Sequence, residues 1–257
     1  VVLRDTLQNW HPAYAWGMAA FGLALVAHVF VLRHAKILQN TSFAGLVPIL
    51  HSVGAWAFIL VLSLIFRHIL IDFTGESTAW RWFGWALPLL AWLVWSAFSS
   101  PTIKQPVLYK QTITLPLVLI LLTWVGFSAL FSRGDPAPLA YFPLFNPLEL
   151  MQLFIVCATF LWLKNTRPAG ITASFAPILP PVLYAHLFLI YTCMVLRSNH
   201  YLTGVDYQFS ALFASMTAQA SLSIAWSICA LGCVIRGHRQ ASRQLWWMGA
   251  ALFAVVV

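Results

Sequence analysis

Stretches of about 20 residues with almost no charge recur along this chain, and they decide the solvent in which it folds. Eight such segments fall at approximately 12–32, 44–66, 80–99, 112–132, 147–163, 174–196, 209–235 and 244–257. A helix rises about 1.5 Å per residue, so seven of them meet or approach the length that crosses a ~30 Å hydrocarbon core. The eighth has 14 residues before the sequence stops, and it is expected to continue in a longer protein. Only 8% of the 257 residues are charged and 61% are hydrophobic. Soluble domains carry about 25% charged residues, and a soluble fold of this length has too little interior to hide so much apolar surface. The expected fold is all-α: a polytopic transmembrane helix bundle of about eight spans, the last truncated, forming a single domain over residues 1–257.

The composition also excludes alternatives. A net charge of +8 invites a nucleic-acid reading, but the basic residues stand singly at the ends of apolar runs. A phosphate backbone needs a dense basic patch with interleaved aromatics, so no nucleic-acid partner is expected. The 13 tryptophans and 7 tyrosines suit the headgroup boundary, where amphipathic rings are favoured. Cys157, Cys193, Cys229 and Cys233 all lie inside apolar runs, where free cysteine behaves as a small hydrophobe.

Turn formers divide the spans. Pro101 and Pro106 separate the third and fourth, and Gly134, Asp135, Pro136 and Pro138 precede the fifth. Pro168 and Gly170 precede the sixth, and Gly204 precedes the seventh. Pro88, Pro116, Pro180 and Pro181 fall within or near spans, where packed neighbours satisfy the freed backbone groups. Charges then orient the bundle. One set of connections carries nine basic residues and no acid: Arg33, Lys36, Lys104, Lys110, Lys164, Arg167, Arg236, Arg239 and Arg243. The other carries Arg4, Arg67, Arg81, Arg133 and Arg197 with every acid: Asp5, Asp72, Glu76, Asp135, Glu149 and Asp206. The positive-inside rule places the first set in the cytoplasm and the N-terminal end of the segment outside.

Three stretches together resemble a known family. Gly134-Asp135-Pro136-Ala137-Pro138-Leu139-Ala140-Tyr141-Phe142-Pro143-Leu144-Phe145-Asn146-Pro147-Leu148-Glu149-Leu150 is similar to the "GD-x-x-PLPYLPLLNPLDL" stretch of the bacterial predicted membrane proteins called domain of unknown function 2339. Ser215 to Trp226 resembles that family's "S-x-x-Q-A-x-L-S-x-x-W" helix. Arg243 to Ala250, leading into Val255-Val256-Val257, resembles its closing "R-x-LW-x-x-G-A…VVV" segment. Phe142 and Phe145 stand where leucines are usual, and Glu149 where aspartate is. The resemblance covers most of the chain. It implies a larger parent protein in the bacterial cytoplasmic (inner) membrane, of which this is the C-terminal part, with a final helix running on into a stretch containing lysine and aspartate. The start at Val1 and the stop at Val257 inside an apolar run agree with a fragment. Its partners are then membrane lipids and the remaining transmembrane helices of the parent. The family carries no assigned reaction.

Candidate chemistry gathers toward the outer ends of the helices. Arg197, Ser198, Asn199, His200 and Tyr201 close the sixth run, and Asp206 and Tyr207 open the next. His186, Cys193 and Arg197, at offsets of 7 and 11, return to nearly one helical face, and ionisable groups inside spans face a bundle interior or a wet cavity. Arg197, Asn199, Tyr201 and His186 are the substrate-binding candidates, suited to an anion or glycan. The alternative is structural: Arg197 snorkels to the interface, His200 bonds loop carbonyls and Asn199 caps a helix. His68 and Asp72, one helical turn apart, form a pair in which a carboxylate orients an imidazole. With His200 they are the catalytic candidates, and a surface pair at a helix end explains them equally. Glu149 falls in the first turn of a helix, where a carboxylate is favoured by unpaired N–H groups. His28 and His51 lie within the first two spans, and Ser215, Gln219 and Ser223 line one face of the seventh, where small residues favour close packing and Gln219 needs a partner. No metal spacing such as H-E-x-x-H occurs, and no cofactor is expected.

Three functions remain open. The first is a structural or assembly module of the cell envelope. The second is an envelope enzyme acting on a lipid-linked or glycan substrate at the outer face. The third is a transporter with His186 and Gln219 along its route. An enzyme has to bring His68, Asp72, Arg197 and His200 together in one pocket.

Overall fold

A backbone immersed in lipid must satisfy its own N–H and C=O groups, and helix does this within one segment. The computed structural model describes residues 17–33, 46–98, 110–165 and 171–256, and among them regular structure is helical throughout with no strand. The helices are α1 (Gly17–Arg33), α2 (Leu46–Thr74), α3 (Trp80–Phe98), α4 (Leu115–Phe131), α5 (Pro147–Asn165), the short α6 (Ile171–Phe175), α7 (Leu179–Thr203), the short α8 (Phe209–Ala214), α9 (Met216–Arg239) and α10 (Arg243–Val256). A π-helical turn, Lys110–Thr114, leads into α4.

Several boundaries differ from the sequence expectation, each for a local reason. α2 runs on from the expected end near residue 66 to Thr74, so Arg67, His68 and Asp72 lie inside the helix. No breaker intervenes until Gly75, whose φ of 90° stops the helix and whose N–H returns 2.7 Å to the Ile71 carbonyl. α7 likewise continues past residue 196 to Thr203 and ends at Gly204, with φ 73° and its N–H 3.1 Å from the His200 carbonyl. Arg197 to Tyr201 are therefore residues of the last turns of this helix. At its other end the expected sixth run divides into α6 and α7, with prolines in the first turn of α7, where a missing N–H costs little. The seventh run divides at Ser215, which leaves helical geometry at ψ 117° and N-caps α9 by accepting from the Ala218 N–H at 3.4 Å.

α3 packs along α2 and α5, and α4 packs on α3, α5 and α7. α7 packs on α9, which forms a tight hairpin with α10. The interior of the first group is apolar, with Ile59, Leu93, Leu117, Leu121, Met151, Ile155 and Leu183 almost wholly buried. Outside it, large apolar side chains such as Leu23 (70% exposed), Ile224 (63%) and Ile228 (62%) cover the helix surfaces, which is tolerable in lipid and not in water. Five helices are long and apolar enough to cross a membrane, at Ile49–Thr74, Gln111–Phe131, Pro147–Asn165, Leu179–Thr203 and Met216–Arg239. α1 and α10 are shorter, at 17 and 14 residues, and α3 carries Arg81 near its start.

Two connections and the end of α7 meet on one side of the bundle. The Ala79 N–H donates to the Asp135 carbonyl at 2.7 Å, Trp80 Nε1 donates to the Pro136 carbonyl at 3.3 Å, and Tyr141 Oη lies 3.4 Å from Ser198 Oγ. The acids Asp72, Glu76, Asp135, Glu149 and Asp206 lie at or beside this face, whereas Lys164, Arg236, Arg239 and Arg243 lie at the opposite helix ends. Arg4, Asp5, Lys36, Lys104, Arg167, the breaks at Pro101, Pro106, Pro168 and Gly170, and the terminal Val1 and Val257 lie outside the described residues.

Candidate functional site

The site is built on the start of α5. Asn146 precedes Pro147, the first helical residue, and its Oδ1 accepts the Leu148 N–H at 2.8 Å, an N-cap bond. Proline suits the first position because it lacks the N–H that would go unpaired there. Glu149, in the same turn, reaches back so that its Oε2 accepts the Leu144 N–H at 2.8 Å. This is the logic of a capping box, extended by two residues. The bond also secures Leu144 in a left-handed conformation, φ 73°, which a leucine rarely adopts.

Glu149 Oε1 turns inward. It accepts the Tyr141 hydroxyl at 3.1 Å and faces Arg197 Nη1 of α7 at 3.6 Å. Arg197 and Glu149 are both 0% exposed. The rest of the guanidinium caps the C-terminal end of α4: Nε donates to the Ser132 carbonyl at 3.1 Å, and Nη2 donates to the Ala129 carbonyl at 2.8 Å and the Ser128 carbonyl at 3.3 Å. The last carbonyls of a helix have no intrahelical donor, and the helix dipole favours a cation there and an anion at a helix start. Arg197 thus joins the negative end of α4 to the acid at the positive end of α5.

Gly134 makes room for this contact. Its φ is 69°, and a Cβ on it would fall 2.9 Å from Arg197 Cδ and 3.1 Å from Arg197 Nε. Its carbonyl accepts from Asn146 Nδ2, which closes the loop over the arginine. Asp135 folds the following turn by accepting the Ala137 N–H at 3.1 Å. One turn deeper, the buried Gln152 donates through Nε2 to Ser128 Oγ at 2.9 Å, extending the polar seam between α4 and α5.

Above the ion pair lies an aromatic layer. Tyr141 stacks on Tyr201 with ring centroids 4.3 Å apart and planes 13° from parallel. Tyr201 and Tyr207 both meet the His200 ring, at 4.7 and 5.8 Å. Burial and the Glu149 carboxylate push the Tyr141 phenol well above its ordinary range. Burial pushes Tyr207 up to about 12, against the opposing pull of Arg197.

The structure brings some of the expected residues together and disperses others. Arg197 does not snorkel outward: it points into the bundle, because the α4 carbonyls and Glu149 supply there the partners that water would supply at the interface. Asn199 does not cap a helix. Its Nδ2 donates to the Val195 carbonyl at 2.9 Å, and its Oδ1 accepts Ser221 Oγ of α9 at 3.2 Å. His200 Nδ1 lies 2.6 Å from the Val205 carbonyl, the loop bond expected of it. His186 sits two turns below Cys193 on α7, its ring nitrogens 2.8 Å from the Val182 carbonyl and 3.1 Å from the Leu122 carbonyl of α4. His68 Nε2 and Asp72 Oδ2 pair at 3.3 Å with side chains 37% and 60% exposed. Their helix packs chiefly on α3, whereas α7 packs on α9, α5 and α4. Gln219 finds its partner in the Phe213 carbonyl, and the His28 ring lies against Gly54. Among the described residues no three metal-ligating side chains converge.

Sequence reasoning saw Glu149 only as a helix-start residue and missed Ser128, Ser132, Gly134, Tyr141, Asn146 and Gln152 as partners of one network. The available signal was a lone acid and a lone arginine, each at the edge of an apolar run on the same side of the bundle.

Among curated proteins and among solved structures, nothing matches this chain. One family model matches residues 2–257, essentially the whole length, and the chain accordingly belongs to the DUF2339 family of predicted membrane proteins.

Proposed function

We propose that this chain is a structural or assembly module of the bacterial cell envelope, a helical domain packed within a larger multi-span protein. One observation carries the reading: the arginine at the centre of the site is fully buried and directs its donors to three backbone carbonyls and Glu149. A guanidinium bonded in this way fixes loops and helix ends, and a substrate would have to break those bonds to reach it. The further reading of about eight spans adds α1, α3 and α10 to the five long helices. The segregation of basic residues supports an inner-membrane location with the N-terminal end outside.

A second reading, an envelope enzyme at the outer face, is favoured by the exposure of the His68–Asp72 pair, a carboxylate-oriented imidazole that a substrate could reach. One experiment separates the two. Arg197→Ala is expected to lower the amount of protein in the membrane several-fold, while His68→Ala, Asp72→Asn and His200→Ala leave both abundance and the cellular phenotype of the gene at wild-type level. Loss of phenotype in His68→Ala or His200→Ala at normal abundance would replace the scaffold with the enzyme.

A further inference from the structure

Away from the Arg197 network, positive charge meets an apolar groove between α2 and α3. The groove encloses about 550 Å³ and is walled by Phe58, Leu62 and Phe66 on one side and Leu87, Trp92 and Trp95 on the other. It faces away from the core, with Phe58, Phe66 and Trp95 36%, 38% and 47% exposed. Along α3, Arg81, Trp85, Pro88, Trp92 and Trp95 follow at offsets of 4, 7, 11 and 14, which keep to one helical stripe. The apolar end of that stripe lines the groove and its first residue is a cation.

A second cation stands beside the first. Gly84 lets α3 approach the backbone of Arg67, where a Cβ would fall 2.5 Å from Arg67 Cα. The Arg67 guanidinium lies over the Trp85 ring at 5.9 Å, and that of Arg81 over Trp82 at 5.2 Å. Arg81 donates Nη1 to the Glu76 carbonyl at 3.0 Å. Among the described residues no hydrogen bond or ion pair engages the Arg67 guanidinium. Glu76 is the carboxylate whose field reaches Arg67, and His68 pairs with Asp72. Two guanidinium groups, those of Arg67 and Arg81, thus stand at this end of the groove.

We propose that this groove is a binding site for an anionic phospholipid of the leaflet on the loop face, with one acyl chain between α2 and α3 and the phosphate held by Arg67 and Arg81. The dimensions fit: Leu87 to Trp95 rises about 12 Å along the helix, close to the half-thickness of about 15 Å that one leaflet's chains fill. The chemistry fits as well, since the planar fork of arginine matches phosphate oxygens, and a guanidinium over an aromatic ring stays charged while partly desolvated.

The full chain reconstituted in vesicles with phosphatidylglycerol bearing a photoreactive acyl chain tests this. Labelling is expected to concentrate in the peptides covering residues 58–66 and 87–95, and to be several-fold weaker with the same chain on phosphatidylcholine. Arg67→Gln with Arg81→Gln should reduce phosphatidylglycerol labelling to the phosphatidylcholine level, and Ala91→Phe should block it by filling the groove with both charges intact. If the double variant fails to enter the membrane, Arg81→Gln alone serves, with a partial drop expected. Equal labelling by the two lipids, labelling spread evenly over the lipid-facing helices, or labelling indifferent to removal of the arginines would each overturn the site.

Discussion

Arg197 and Glu149 are the residues at which this bundle departs from simple apolar packing. Removing a charge from water costs several kcal/mol even after relaxation, so a buried ion pair persists only where further hydrogen bonds complete each partner. Glu149 has the Tyr141 hydroxyl and the Leu144 N–H, and Arg197 has the α4 carbonyls. Deleting one partner leaves the other charged and uncompensated, at a cost of about 3–5 kcal/mol. Arg197→Met and Glu149→Leu are each expected to destabilise the protein by that amount, and the double variant by less than the sum, read as melting temperatures in detergent. Additive losses would mean that the two side chains do not act as a pair.

Close approach governs the helices themselves. In the α9–α10 hairpin, a Cβ on Gly249 would fall 2.7 Å from the Ala230 carbonyl oxygen and 2.9 Å from the Val234 backbone nitrogen. A Cβ on Gly237 would fall 2.6 Å from the Trp246 nitrogen. On an isolated helix, replacing glycine by alanine gains about 1 kcal/mol of propensity. Here the obstructing atoms belong to backbone and cannot turn aside. Gly249→Leu is therefore expected to force α10 away from α9 and to cost about 1–3 kcal/mol as overpacking. A disulfide or short cross-link engineered across the hairpin should form in the parent and fail in the variant. Unchanged cross-linking would show that the glycine contact does not set the spacing.

For the whole molecule, the question is which side faces the cell interior. Among the described residues Asp72, Glu76, Asp135, Glu149 and Asp206 lie on one side of the bundle with Arg67, Arg81, Arg133 and Arg197, whereas Lys164, Arg236, Arg239 and Arg243 sit at the opposite helix ends with no acid. In a background without the native cysteines, Lys164→Cys and Lys104→Cys are expected to react with a membrane-impermeant maleimide only after the membrane is opened, and Glu76→Cys to react on intact cells. The reverse pattern would invert the proposed topology. The same experiment, extended to both ends of α3, tests whether that helix is a full span or a partner lying along α2.

Sequence alone determined that the chain is helical and lives in a membrane, because the length and apolarity of a run are properties of consecutive residues, and lipid leaves a backbone little choice but helix. It also marked Gly204 as a break, but it ended α2 near residue 66 and α7 near residue 196, and the stop at Gly75 came from the structure. Only the tertiary structure decided that Arg197 turns inward to the ends of α4 and α5, since snorkelling and burial are both open to an arginine near a helix end until the neighbouring carbonyls and Glu149 are placed. It placed His68 and Asp72 on a helix that packs chiefly on α3 for the same reason: which spans lie side by side depends on packing between segments far apart in sequence, and no single run of residues records its neighbours.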